Sequence, residues 1–230
     1  MKFKHIIIYS FMGICLAFSA CKQQDNYPTP NAGIEGKITD AATGQPFQTE
    51  QPNGVKIRLI EESYGSNVTP NDFWARADGS FENTQVFADK YKVVPIEGAF
   101  FPADTAEVNI KGLTNVDFKV VPFLTVTATA APASGSVVVN YTISRSQVGG
   151  KIGQSRTLVS AYPTVSNTIN EFSSSHDLSG TDDAAVLAAQ YTDTISGLKS
   201  GSTYYVRVGA IAANANNKYN YSPVIKVTIP

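Results

Sequence analysis

Residues 198–210 read LKSGSTYYVRVGA, and their apolar side chains fall on every second position: Tyr204, Val206, Val208 and Ala210. Successive strand side chains point to opposite faces, so this spacing builds a half-buried strand and not a helix. The same period recurs outward from it, in Val137, Val139, Tyr141 and Ile143 and in Ile225, Val227 and Ile229. Nearer the N-terminus Val55, Ile57 and Leu59 oppose Lys56 and Arg58, and Val116, Phe118 and Val120 oppose Asp117 and Lys119. Turn chemistry separates these runs, as in DAATGQP from Asp40 and ADGS from Ala77, where Asp78-Gly79 suits a tight hairpin. The fold class that follows is all-β, in two β-sandwich domains in tandem.

Pro122 lies between a strand ending at Val121 and one beginning at Phe123. It cannot donate to a β ladder, which places a domain boundary there. The expected division is a signal peptide over 1–20, a flexible tether over 21–32, and sandwiches over 33–121 and 122–230.

Lys2 and Lys4 precede a short apolar run from Ile6 to Leu16, and Phe18-Ser19-Ala20 leads into Cys21. A charged start, an apolar stretch too short to span a bilayer and small residues before a cut make a signal peptide. The ending resembles the bacterial lipobox, which implies lipidation at Cys21 and a membrane partner reached through that anchor. The same residues also fit an ordinary secretory signal or an uncleaved anchor. The polar, Pro-bearing KQQDNYPTPNAG after Cys21 suits a tether. Lys22-Gln23-Gln24-Asp25 resembles the export signal of Bacteroidetes lipoproteins, which implies the outer membrane and its exterior face.

Cleavage changes the chemical inventory. His5 and Cys15 leave, and an acylated Cys21 has no thiol, so neither a disulfide nor a thiol nucleophile remains. Losing Lys2 and Lys4 from 18 basic residues leaves 16 against 19 acidic ones, which speaks against a nucleic-acid partner. His176 is then the one histidine; in SSSHDLSG it reads as a solvated loop residue, with no nucleophile elbow near it. One His and no Cys do not build a zinc site. Asp177, Asp182 and Asp183 could offer oxygens to calcium, but Thr181-Asp182-Asp183 before an Ala-rich stretch is better read as the start of a short helix. Glu61-Glu62 and Asp182-Asp183 are sequence neighbours, an unpromising arrangement for a hydrolase pair. The expectation is no catalytic residue, no metal, no cofactor and no enzyme.

Exposed aromatics beside amides can stack on sugar rings. Phe73-Trp74, Phe100-Phe101 and Tyr204-Tyr205 are adjacent pairs, and alternation turns one of each outward. Tyr205 is expected outside if Tyr204 is inside. Trp74 is the sole Trp, and Tyr219 and Tyr221 sit in a loop with Asn214, Asn216, Asn217 and Asn220. These four, Trp74, Tyr205, Tyr219 and Tyr221, are the candidate ligand residues. The competing assignment is a core Trp and interface tyrosines.

Two module resemblances follow from these residues. Gly36, Ile38, Asp40, Thr43, Gly44 and Pro46, then Asp78, Gly79 and Phe81, then Tyr91 and Val93, resemble the transthyretin-like, carboxypeptidase-regulatory-like sandwich. Leu198, Gly201, Tyr204, Val206, Val208 and Ala210 resemble a fibronectin type III module, which implies that Tyr204 is its tyrosine corner. A lipobox before both resembles an uncharacterised family of Bacteroidetes lipoproteins found with polysaccharide-uptake systems. That resemblance implies a non-catalytic surface protein that binds or presents glycans beside an outer-membrane receptor complex; the alternative is a structural adaptor docking on such a complex.

Overall fold

The computed structural model describes residues 28–63, 65 and 68–230. The leader, Cys21 and the first part of the tether lie outside the described residues.

Eight strands make the first module: β1 (Ala32–Asp40), β2 (Lys56–Glu61), β3 (Asn71–Trp74), β4 (Ser80–Val86), β5 (Lys90–Glu97), β6 (Ala106–Asn109), β7 (Leu113–Asn115) and β8 (Phe118–Val120). One sheet runs β4-β1-β7 with β8 also on β1, and the other runs β3-β2-β5-β6. The period-two residues meet between them. Ile34, Ile38, Phe81, Phe118 and Val120 pack on Ile57, Leu59, Tyr91 and Val93, all of them buried. Each such side chain contributes roughly 1.5–3 kcal/mol by leaving water. Gly36 is required here, since a Cβ on it would stand 1.9 Å from the Val116 carbonyl oxygen. The tight turn expected at Asp78-Gly79 is present, with Gly79 at φ +80° and the Asp78 carboxylate accepting from Ser80 N–H at 3.0 Å, but it is not a hairpin: β3 and β4 belong to opposite sheets and the turn carries the chain from one to the other.

The second module holds β9 (Thr125–Ala133), β10 (Ser136–Ser144), β11 (Ile152–Ser160), β12 (Phe172–Asp177), β13 (Gln190–Ser196), β14 (Thr203–Ala212), β15 (Asn220–Tyr221) and β16 (Ile225–Thr228). Its sheets are β13-β10-β9 and β12-β11-β14-β15, with β16 also on β14. Val137, Val139, Tyr141 and Ile143 face Val206, Val208 and Ala210 across a second core. The Tyr204 hydroxyl accepts from Lys199 N–H at 3.2 Å, which is the backbone tie of a tyrosine corner. The short helix α1 (Asp183–Ala188) is where the acidic cap signal puts it; the Asp182 carboxylate accepts from Ala184 N–H at 3.2 Å.

The chain crosses from one core to the other over residues 121–124, and Phe123 packs against both. Phe101 N–H donates to the Val121 carbonyl at 2.9 Å, and Phe123 N–H to that of Ala99 at 3.1 Å. Buried Asn220 closes the seam by donating to the Ala99 carbonyl at 2.8 Å and accepting from Leu124 N–H at 3.0 Å. β1 fixes the polarity of the molecule. Its Asp40 end pairs with Val120 beside the crossing, so its Ala32 end lies at the opposite pole, about 30 Å away for nine strand residues.

Candidate functional site

Trp74 ends β3, an edge strand, and pairs with Lys56 of β2, which pairs in turn with Glu97 of β5. The β2–β5 register skips a residue between Lys56 and Ile57. Such a bulge turns two consecutive side chains to one side, so Ile96 and Glu97 both open outward. Lys56 Nζ lies 4.6 Å from the Trp74 ring centroid and forms an ion pair with Glu97. Trp74 is 36% exposed and stands on the module surface.

The Asn-rich segment of the second module arrives beside this row. Asn214 shapes it: its amide donates to the carbonyls of Ala212 and Lys218 at 2.7 and 3.0 Å and accepts from Lys218 N–H at 3.0 Å. Asn216 and Asn217 are left facing solvent. Lys218 Nζ donates to the Asn53 carbonyl of the first module and lies 5.3 Å from the Trp74 ring centroid. Between the loop and β5 runs a groove of about 390 Å³, walled by Val94, Ile96 and Pro102 and lipped by Asn214 and Asn216. Apolar walls with a few convergent polar groups are the usual make-up of a small-ligand site. A second, largely apolar cleft of about 330 Å³ lies at the junction between Pro46, Phe47, Leu124, Tyr221 and Ile225.

The three candidate tyrosines lie elsewhere, and two expectations need correcting. Tyr221 is only 5% exposed. Its hydroxyl donates to Glu50 of the first module at 2.7 Å and accepts from Asn167 N–H at 3.1 Å, and burial pushes its pKa far above the ordinary tyrosine value. Tyr205 is half-buried against Leu158, Val165 and Tyr221. Tyr219 is also half-buried, with its hydroxyl donating to Gln154 at 2.6 Å. The cause is a second layer. The segment carrying Val165 and Asn167 covers the outer face of β14, so alternation no longer separates core from solvent there.

Arg207 shows the same effect. It alternates outward from β14 but is 1% exposed, with Nε donating to the Ser222 carbonyl at 2.9 Å and the guanidinium 4.4 Å from the Tyr221 ring. Desolvation lowers its pKa to about 10. His176 lies on β12 and not in a loop. It is bonded to buried Asp193 at 2.8 Å, and Asp193 also accepts from Ser174 and Thr157. Asp183 accepts from Lys151 Nζ at 2.8 Å and from Arg145 at 3.1 Å. Among the described residues no three His, Cys, Asp or Glu side chains gather as a metal site, and no helix is long and apolar enough to cross a membrane.

Sequence reasoning missed Lys56, Glu97 and Lys218 around Trp74, because Lys218 and Trp74 meet only through the module junction. It also passed over Tyr162, 63% exposed after β11. Its Tyr162-Pro163 setting, outside any alternating run, was the available signal.

Residues 32–121 match the model of the DUF3823 family, described as a protein of unknown function, N-terminal domain; residues 126–226 match its C-terminal partner, DUF3823_C, a domain of unknown function. The chain belongs to the DUF3823 family. A DUF3823 family protein from Bacteroides uniformis ATCC 8492 is 27% identical, superposes with a TM-score of 0.78, and is matched over 87% of this chain and 100% of that one. Two further crystal structures share the fold over 87% of this chain and all of theirs, each at a TM-score of 0.73. One, at 22% identity, is described as a putative carbohydrate binding protein from Bacteroides uniformis ATCC 8492; the other, at 20%, is a DUF3823 family protein from Parabacteroides merdae ATCC 43184. A comparison with curated proteins finds no match.

Proposed function

We propose that this DUF3823 protein is a non-catalytic, lipid-anchored protein of the outer-membrane exterior that binds glycans for a polysaccharide-uptake complex. One observation carries the reading: Trp74 and the Asn-rich loop, far apart in sequence, meet through Lys218 at the module junction, beside the groove that runs between that loop and β5. An aromatic face, exposed amides and apolar walls are the groups that meet a sugar's C–H face and its hydroxyls. The Bacteroides uniformis protein of like fold that is described as a putative carbohydrate binding protein supports the reading in the same direction. Polarity also supports it. A tether at the Ala32 pole would hold the groove about 30 Å farther from the membrane than the start of the fold.

Calorimetric titration with a panel of plant and host polysaccharides tests the proposal. Binding is expected for at least one, weakened at least about ten-fold by Trp74→Ala with the fold intact by circular dichroism. Binding to no glycan, together with a stably co-purifying membrane protein, would replace it with the adaptor reading.

A further inference from the structure

We infer that the ligand bound beside Trp74 and Lys218 is an anionic glycan, one bearing carboxylate or sulfate groups on its sugars; the inference rests on the glycan-binding reading and narrows it. The argument starts from how charge is matched on the outer face of β3-β2-β5-β6. Arg58 holds Asp72 through two bonds of 2.8 and 2.7 Å. Lys90 pairs with Glu62 and Glu107 at 2.8 and 2.9 Å, Lys92 pairs with Glu62 at 3.2 Å, and Lys56 pairs with Glu97. Each cation this face contributes is therefore answered by a carboxylate.

Lys218, delivered to the same face by the second module, is the exception. Its ammonium donates to the neutral Asn53 carbonyl, and among the described residues it has no carboxylate partner. It is half-buried, so part of its hydration is already lost. An ammonium has three donors and no acceptor, and one carbonyl leaves two of them for a ligand. The Trp74 ring holds it in place without neutralising it.

The neighbouring Asn216 and Asn217 carboxamides are exposed and both donate and accept, so they serve neutral and acidic sugars alike. Only an acidic group gains an ion-paired, charge-assisted bond from the unneutralised Lys218 ammonium.

The test titrates the full mature chain with polygalacturonate, its methyl-esterified neutral form, a sulfated galactan and the unsulfated galactan. The expected result is at least about ten-fold tighter binding of one acidic polymer than of its neutral match at about 20 mM salt, shrinking at about 500 mM. Lys218→Gln should abolish that preference, and Lys218→Arg should restore it. Whichever acidic polymer shows the preference names the anion. Equal binding of acidic and neutral forms, with no effect of Lys218→Gln, would overturn the inference and leave glycan binding standing. Absence of binding to all four and to the wider panel would remove the glycan reading and this inference with it.

Discussion

Removing the Tyr221 hydroxyl should loosen the two modules from each other. Tyr221→Phe deletes the 2.7 Å bond donated to Glu50 and the 3.1 Å bond accepted from Asn167, in a buried place where water cannot replace them. A bond to a charged group is worth about 1.5–3 kcal/mol and a neutral one about 0.5–1.5. Because Glu50 is half-exposed and can recover water, the lower ends apply, giving a loss of about 2 kcal/mol. With a urea slope of about 2 kcal/mol per molar, the midpoint falls by about 1 M. The informative quantity is the coupling between Tyr221→Phe and Glu50→Ala in a double-mutant cycle followed by urea unfolding, expected at about 1 kcal/mol. Coupling below about 0.3 kcal/mol would mean that the contact does not join the modules and that the junction is held by its other contacts, those of Phe123, Asn220 and Lys218 among them.

Three further outcomes follow from single contacts. Gly36→Ala places a methyl group 1.9 Å from the Val116 carbonyl oxygen and should cost about 1–3 kcal/mol or more by urea unfolding; a neutral substitution would contradict the β1 packing. Tyr204→Phe should cost about 0.5–1.5 kcal/mol in the same assay through the lost Lys199 bond and leave every binding constant unchanged. The hydrogen bond from Lys151, aided by Ile152 N–H and the nearby charges of Lys151 and Arg145, holds the Asp183 carboxyl below its ordinary 3.8 against desolvation. A depressed folded pKa gives stability that is present above the unfolded value and lost as pH falls through the folded one, so wild-type stability should decline below about pH 4 and Asp183→Asn should decline less. Parallel acid titrations of the thermal midpoint would show it, and identical slopes would refute it.

The sandwich class was legible because apolar alternation is a local signal. Val137 to Ile143 and Tyr204 to Ala210 each fill one inner face, as their spacing requires. Turn and cap chemistry was legible for the same reason at Asp78-Gly79 and Asp182-Asp183. The outer face of β14 was not. Tyr205, Arg207 and Tyr221 look surface-bound by period, and they are covered by a segment some forty positions away and by Glu50 of the other module. Trp74 and the Asn-rich loop were each visible as candidates. Their meeting through Lys218 was not, because it depends on how two separate cores are set against each other, and the Lys218–Asn53 bond that helps set it spans 165 positions.

Trp74 is the only tryptophan in the chain, so its fluorescence reports the proposed site and no other. Titrating the mature protein with the glycan panel while following that emission, alongside calorimetry on the same samples, tests the central claim most directly. The account predicts a saturable change in Trp74 emission that tracks the heat of binding with the same midpoint. Saturable glycan binding by calorimetry with unchanged Trp74 emission would put the sugar somewhere else on the molecule and contradict it.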